Sequence, residues 1–416
     1  MQLRASEVLF QVNHTTLCIP IGAVFKYSMP RPIQAPQVSQ VSRQAQPKPA
    51  GIATPQFGLP TLKGRGSARD VPHRYAVWQR EAVSDGWDTE EGLSTDEHQS
   101  LPITQVQETL CKSALNANDS PDLGFTHSIN PYRGCEHGCS YCYARPGHSY
   151  LNLSPGLDFE TRLVVKTNLA EVLRRELTSP NYRPGKLVLG GVTDVYQPVE
   201  KRYGITRQVL SLLNDLKHPA GLVTKGSLIE RDLDLLSAMS QWQGVAVYIT
   251  LTTLDAELAR RMEPRAASPS KRLALIRRLT DAGVRVGVSV SPQIPFLNVD
   301  LEQCLEAARD AGASSAFYTV LRLPQELATV FQEWLFSHYP DKAQRVMNRV
   351  HELHGGRIYR SDFGLRHSGQ GVWSELIAQR FAKACQRLGL HREAAPLNLS
   401  LFKPATDPRS AQLSLL

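Results

Sequence analysis

The sequence predicts an α/β chain built as a partial (βα)6 TIM-like barrel, with an irregular segment before it and a helical extension after it. Three observations carry that prediction. Short apolar runs alternate with helically spaced segments from residue 120 to 320, the pattern of right-handed βαβ units around a parallel sheet. The runs number about six, too few to close an eightfold barrel, so the array stays open. Upstream, seven prolines and several glutamines fall between residues 30 and 60 with little apolar periodicity, a composition that does not order itself around a core. The expected division is 1–62 disordered N-terminal tail, 63–119 lead-in, 120–322 core and 323–416 helical extension and tail.

The elements follow in order. Tyr75, Trp78 and Trp87 are expected to anchor the lead-in, and Lys63-Gly64-Arg65-Gly66 reads as a flexible basic loop. Leu123 to Ile129 is the first strand. Arg162–Lys166 is a short strand or extended segment, and Asn168 to Leu177 a helix with Thr167 as its N-cap. Strands are then expected over 186–192, 221–225, 245–252, 284–290 and 315–320. The intervening helices are 205–216, 228–239, 255–261 with 271–282, and 300–310. Gln325 to Ser337 and Lys342 to Leu353 are amphipathic and would cover the open side. His338, His351 and His354 read as surface residues of those helices, and the tail after His391 as loosely ordered.

Composition narrows the class. With 416 residues, 42% hydrophobic and 21% charged, the chain has the makeup of a soluble globular protein. No apolar run reaches the ~18 residues that span a membrane. Leu17 to Phe25 lacks the basic flank and cleavage site of a signal peptide, and Met29 is a second candidate start. The cytoplasm is the expected compartment. Seven cysteines without a secretory signal argue against a disulfide framework. The formal charge of +8 is uneven: residues 1–80 hold ten Lys/Arg against two Asp/Glu, and 81–110 hold eight acids and no Lys or Arg. A basic balance suits a polyanionic partner such as nucleic acid, and equally a solvated surface.

The chemistry concentrates at Asn130-Pro131-Tyr132-Arg133-Gly134-Cys135-Glu136-His137-Gly138-Cys139-Ser140-Tyr141-Cys142, where three thiols fall on one loop spaced Cys-x3-Cys-x2-Cys. Asn130-Pro131 and Gly134 end the preceding strand, which puts the loop on a turn at the C-terminal rim, where parallel barrels keep their active residues. Three thiolates on a tight loop supply three corners of a [4Fe–4S] cluster and leave one iron open. A zinc site completed by His137 is the competing reading, although the second ligand pair usual in zinc loops does not follow.

The string from Pro131 to Arg145, with Tyr141 before the last cysteine, resembles the cluster loop of the radical S-adenosylmethionine (SAM) enzymes, and within them the spore photoproduct lyase-like branch. The resemblance covers about residues 120 to 340 and implies a radical SAM type of partial barrel. It implies Cys135, Cys139 and Cys142 as iron ligands, with SAM on the open iron and a small reductant such as flavodoxin or ferredoxin as electron donor. One-electron cleavage of SAM then yields a 5′-deoxyadenosyl radical that abstracts hydrogen from a substrate. Gly190-Gly191, followed by Val192 where the family usually has glutamate, aligns with the element that binds the methionine amino group; Thr193 and Asp194 stand in for the missing acid. Tyr141, Lys225, Thr252 and Ser289 complete the expected cofactor contacts. The glycine-rich stretch Gly283 to Pro295 resembles the strand that flanks the adenine.

Other residues stay open. Arg231 with Asp232, and Glu263-Pro264-Arg265, recur in the resembled branch as a charge network or as substrate contacts. Photoproduct lyases repair a thymine dimer and quench the product radical with a cysteine, yet no cysteine lies between Cys142 and Cys304 here. Tyr143 or Tyr196 is the remaining candidate donor. DNA-lesion repair is one branch activity the resemblance allows. The rival class is a non-catalytic iron–sulfur or zinc protein that binds nucleic acid, which would need no cofactor cradle behind the cysteines.

Overall fold

The computed structural model describes residues 54–76, 103–392 and 396–404; Trp78, Trp87 and the first 53 residues lie outside them. Ten strands are found there: β1 (Gln105–Thr109), β2 (Leu115–Ala117), β3 (His127–Ile129), β4 (Tyr132–Arg133), β5 (Arg162–Lys166), β6 (Leu187–Leu189), β7 (Ala220–Thr224), β8 (Val245–Thr250), β9 (Val286–Ser289) and β10 (Ser315–Phe317). The main sheet runs β10-β9-β8-β7-β6-β3-β2. Its strands β3, β6, β7, β8, β9 and β10 are all parallel, and β2 pairs antiparallel with β3. These are the six expected barrel strands, and no pairing among the described residues closes β10 back onto β2 or β3.

The strands are short, hydrophobic and buried on both faces, as parallel strands under helices must be. Ile129, Leu187, Leu189, Leu222, Val247 and Val288 are at most 1% exposed, in one core cluster with Leu210, Leu213, Leu275 and Leu305 of the surrounding helices. Two helix starts match their chemistry. Asp255 accepts the N–H groups of Glu257 and Leu258 ahead of Ala256–Met262, and Ser268 accepts that of Lys271 ahead of Pro269–Asp281.

Several expectations need correcting. The segment Arg162–Lys166 forms no part of the main sheet; it is the middle of a second sheet, β1-β5-β4. Thr167 is not an N-cap. Asn168 holds that position, and both ends of its amide are hydrogen-bonded to the Cys111 backbone. The helix expected over 228–239 is split, a tight turn at Ser227–Asp232 preceding Leu233–Ser240. His354 is buried, its Nε2 3.0 Å from the Leu321 carbonyl. The described part of the tail is packed rather than loose: Phe402 stacks edge-on to Tyr182 and His218, and Lys403 N–H donates to the Leu216 carbonyl.

Helices Leu327–His338 and Pro340–Leu353 appear where expected and cover the cysteine loop. Phe331, Trp334, Val346 and Val350 share one apolar cluster with Cys139, Tyr141, Met262 and Ile294. Val372–Leu388, which the sequence reading passed over, packs on Leu301–Asp310 and is tied to it by the Arg380–Glu302 pair. Segment 54–76 is held against the core: Val71 is buried in the apolar cluster, and Arg69 and Arg74 pair with Glu333 and Glu326.

Candidate cofactor site

The cysteine loop begins where β3 ends and is fixed from all sides. Gly134 sits at φ +78°, and a side chain there would meet Leu163 Cδ2 at 2.8 Å. Cys135 N–H donates to the Phe159 carbonyl (2.9 Å) and Ser140 N–H to that of Met262 (3.0 Å). The Gln197 amide accepts from Glu136 N–H and donates to the Gly134 carbonyl. Beneath the loop lies Arg145, fully buried. Its Nε donates to the Cys139 carbonyl (2.8 Å), and its guanidinium pairs with the fully buried Glu160 (2.5 Å). So the backbone that carries the thiols is held by side chains the thiols do not need.

Cys135 and Cys139 are 7% and 8% exposed, and Cys142 is half-buried. Burial pushes the Cys139 thiol up to about 12 and the Cys135 thiol well above its usual range; Cys135 also feels both other thiols as like charges, and Cys139 feels Cys142. Among the described residues no three His, Cys, Asp or Glu side chains converge on one point as a single ion requires. The three thiols are neighbours, Cys135 sensing both Cys139 and Cys142, and three cysteines on one loop are the donor type of an iron–sulfur cluster. His137 does not join them. Its Nδ1 faces Asp194 Oδ2 at 3.2 Å, which ties the ring to the loop after β6. Three free thiols from one loop are a donor set that fits an iron–sulfur cluster.

Around the rim the expected cofactor residues come together, though not all in the expected manner. Gly190 has φ +87°, and a Cβ there would lie 2.8 Å from the Val223 carbonyl, so only glycine fits. Gly191 offers its carbonyl to the Tyr143 hydroxyl. Thr193 turns inward and donates to the Tyr132 carbonyl (3.2 Å). Asp194 is engaged four times over: by Thr224 Oγ1 (2.7 Å), Lys225 N–H (2.7 Å), Tyr196 N–H (2.9 Å) and His137. Burial opposes its charge, but those partners hold its pKa well below the carboxylate range. Asp194 thus binds the loop after β6 to the loop after β7.

Tyr141 and Thr252 converge on a buried charge network that the sequence could not assign. Glu263, 2% exposed, accepts from the Tyr141 hydroxyl, from Thr252 Oγ1 (2.6 Å) and from Arg272. Arg272 in turn donates to the Thr250 carbonyl (3.0 Å). Although burial favours the neutral acid, Arg272 and Lys225 hold Glu263 down to about 2. Lys225 Nζ lies 5.8 Å from the Tyr141 ring centroid and makes no hydrogen bond among the described residues. Ser289, 1% exposed, stands level with Thr250 across the β8–β9 pair, and Ser291 Oγ beyond it is buried without a partner. Arg231 and Glu200 form another ion pair (2.6 Å), joined by Asp232, and Tyr196 is buried against Asp232.

A family model described as the radical SAM superfamily matches residues 129–321. An uncharacterised protein of Mycobacterium tuberculosis is 38% identical over 293 residues, which cover 70% of this chain and 83% of that one. An uncharacterised protein of Methanocaldococcus jannaschii is 28% identical over 239 residues, 58% of this chain and 85% of that one. Among solved structures, a variant of spore photoproduct lyase with bound AdoMet and dinucleoside spore photoproduct superposes with a TM-score of 0.51 at 13% identity, over 70% of this chain and 82% of that one. At that identity the likeness speaks for the fold. With the family model over the six parallel strands and the three thiols on the loop after the first of them, the chain belongs to the radical SAM superfamily.

Proposed function

We propose that the chain is a [4Fe–4S]-dependent enzyme that reductively cleaves SAM and uses the resulting radical to abstract hydrogen from its substrate. The observation that carries this reading is the loop of three neighbouring thiols, two of them buried, set beside a glycine turn and the Lys225 ammonium. Cys135, Cys139 and Cys142 hold three corners of the cluster and leave the fourth iron to SAM. Bound there, the cluster supplies one-electron reduction of the SAM sulfonium and hence the 5′-deoxyadenosyl radical. The Gly190–Gly191 backbone receives the methionine amino group, Lys225 its carboxylate, and Ser289 the nucleoside. Thr193, Asp194, Tyr141 and Thr252 act one step back, because protein groups already take their polar atoms; they position the loops that touch the cofactor.

The reductant is a small electron carrier such as flavodoxin or ferredoxin, and the compartment the cytoplasm; no described helix is long and apolar enough to cross a membrane. A nucleic-acid lesion is a candidate substrate, supported by the fold shared with the lyase. In an anaerobically reconstituted, dithionite-reduced sample, SAM should be converted to 5′-deoxyadenosine, detected chromatographically. Cys139→Ala should lose both the absorption near 400 nm and that product. An iron-replete, reduced parent chain that releases none would overturn the reading.

A further inference from the structure

One arginine at the mouth of this site has no counter-charge. Arg322 follows the last strand, just beyond Val320 and Leu321, which bond to the loops carrying His367 and Gln293. It is half-buried, yet among the described residues it makes no ion pair and no hydrogen bond. Its guanidinium lies 4.5 Å from the Tyr143 ring centroid, and it senses Tyr143, Tyr359, Arg366 and Cys142. The neighbouring arginines are satisfied: Arg366 pairs with Asp122 (2.7 Å) and Arg360 with Asp362 (2.5 Å). A second, independent observation falls in the same place. His367 Nε2 is buried without a hydrogen-bond partner, and burial together with Arg322 and Arg366 lowers the ring's pKa to about 4. The ring is therefore neutral and able to share one hydrogen bond.

A guanidinium withdrawn from water without an anion is unfavourable, as is an unmet imidazole nitrogen. A ligand oxyanion between them would relieve both. The fork of Arg322 matches the two oxygens of a carboxylate or phosphate, and a ring stacked behind it fixes its plane. Tyr143 also ties the place to the cofactor: it follows Cys142 directly, and its hydroxyl donates to the Gly191 carbonyl. We propose that Arg322, backed by Tyr143 and flanked by His367, receives an oxyanion, phosphate or carboxylate, carried by the substrate. Assigning that oxyanion to substrate rather than cofactor rests on the proposed function, in which Lys225 takes the SAM carboxylate.

The test uses the full chain without iron, titrated with inorganic phosphate and separately with acetate at constant ionic strength, followed by calorimetry. At least one should bind. Arg322→Gln should weaken that binding about tenfold, the loss of one charge-assisted pair, and Arg322→Lys by less. His367→Asn should weaken it to a smaller extent, and it carries the test together with Arg322→Lys if circular dichroism shows Arg322→Gln unfolded. SAM is then titrated into the iron-reconstituted chain: Arg322→Gln should leave its affinity within about twofold, well short of one lost charge-assisted bond. Binding of neither anion by the parent chain, or equal binding by Arg322→Gln, overturns the site. A fall in SAM affinity matching that for phosphate assigns the anion to the cofactor and overturns the substrate role. Because the anion titrations need no iron, failure to produce 5′-deoxyadenosine would not be confused with failure of this site.

Discussion

Glu263 ties three elements of the site together. It joins the cysteine loop through Tyr141, the end of β8 through Thr252, and helix Pro269–Asp281 through Arg272. Arg272 is itself 1% exposed, so Glu263→Gln would leave a guanidinium buried without its anion. Breaking such a pair costs about 3–5 kcal/mol; a urea melt should show that loss, and iron bound per chain should fall with it. An exposed pair such as Arg309 and Asp310, 45% and 58% exposed, should contribute less than about 1 kcal/mol when cut. Equal effects for the two would mean that burial does not set the strength of the Glu263 network. The sequence pointed to Glu263 as part of Glu263-Pro264-Arg265 but left its role open. The reason is physical: Tyr141 is 122 positions away, and no local spacing encodes such a partner. The cysteines were legible because their three-residue and two-residue gaps are themselves the geometry.

Segment 54–76 makes the same point at the scale of an element. Composition put a break at 62–63 and read Lys63 to Gly66 as flexible, whereas the structure makes this segment part of the cysteine loop's support. Gly66 N–H donates to both oxygens of Glu160 (3.2 and 3.0 Å), the carboxylate that holds Arg145 beneath Cys139. A Cβ on Gly66 would overlap the Gly138 carbonyl. Gly66→Ala must therefore push segment and loop apart, at about 2–4 kcal/mol and most of the bound iron. Gly64 is the control. It has φ +73° with nothing within 4 Å of an added Cβ, so Gly64→Ala should cost about 1 kcal/mol of backbone strain and spare the iron. Iron analysis and thermal melts of the two variants check this; full iron in Gly66→Ala would show that the segment merely rests on the loop. Elements with a hydrophobic period were legible in advance. Even Val372–Leu388 had the signal, with Ile377, Phe381, Ala384, Cys385 and Leu388 at helical spacing. Segment 54–76 has no period, and what fixes it to the core is its distant partners, Glu160, Glu326 and Glu333.

For the whole molecule, alternating apolar runs were enough to foresee six parallel strands and the rim on which the thiols sit, because burial on both faces leaves a mark in every strand. What stayed hidden was which polar groups are buried with them, and two buried imidazoles among those contribute to the chain's response to acid. His218 is fully buried, its ring nitrogens 2.9 Å from the Tyr182 hydroxyl and 3.0 Å from the Pro219 carbonyl. His148 is 2% exposed, 3.0 Å from the Arg162 carbonyl. Burial lowers both to about 4, from an ordinary 6.5. The unfolded chain therefore binds protons more readily than the folded one between those values. Stability is intact above pH 6.5 and is lost as the pH falls toward 4. At pH 5 each ring should contribute a loss of roughly 2 kcal/mol, a large share of the ~5–15 kcal/mol that holds a domain together. Urea midpoints at pH 7 and pH 5 measure the fall. His218→Gln, which takes up no proton, should remove about half of the part these two rings contribute. If the parent chain were equally stable at both pH values, neither imidazole would be held neutral by burial.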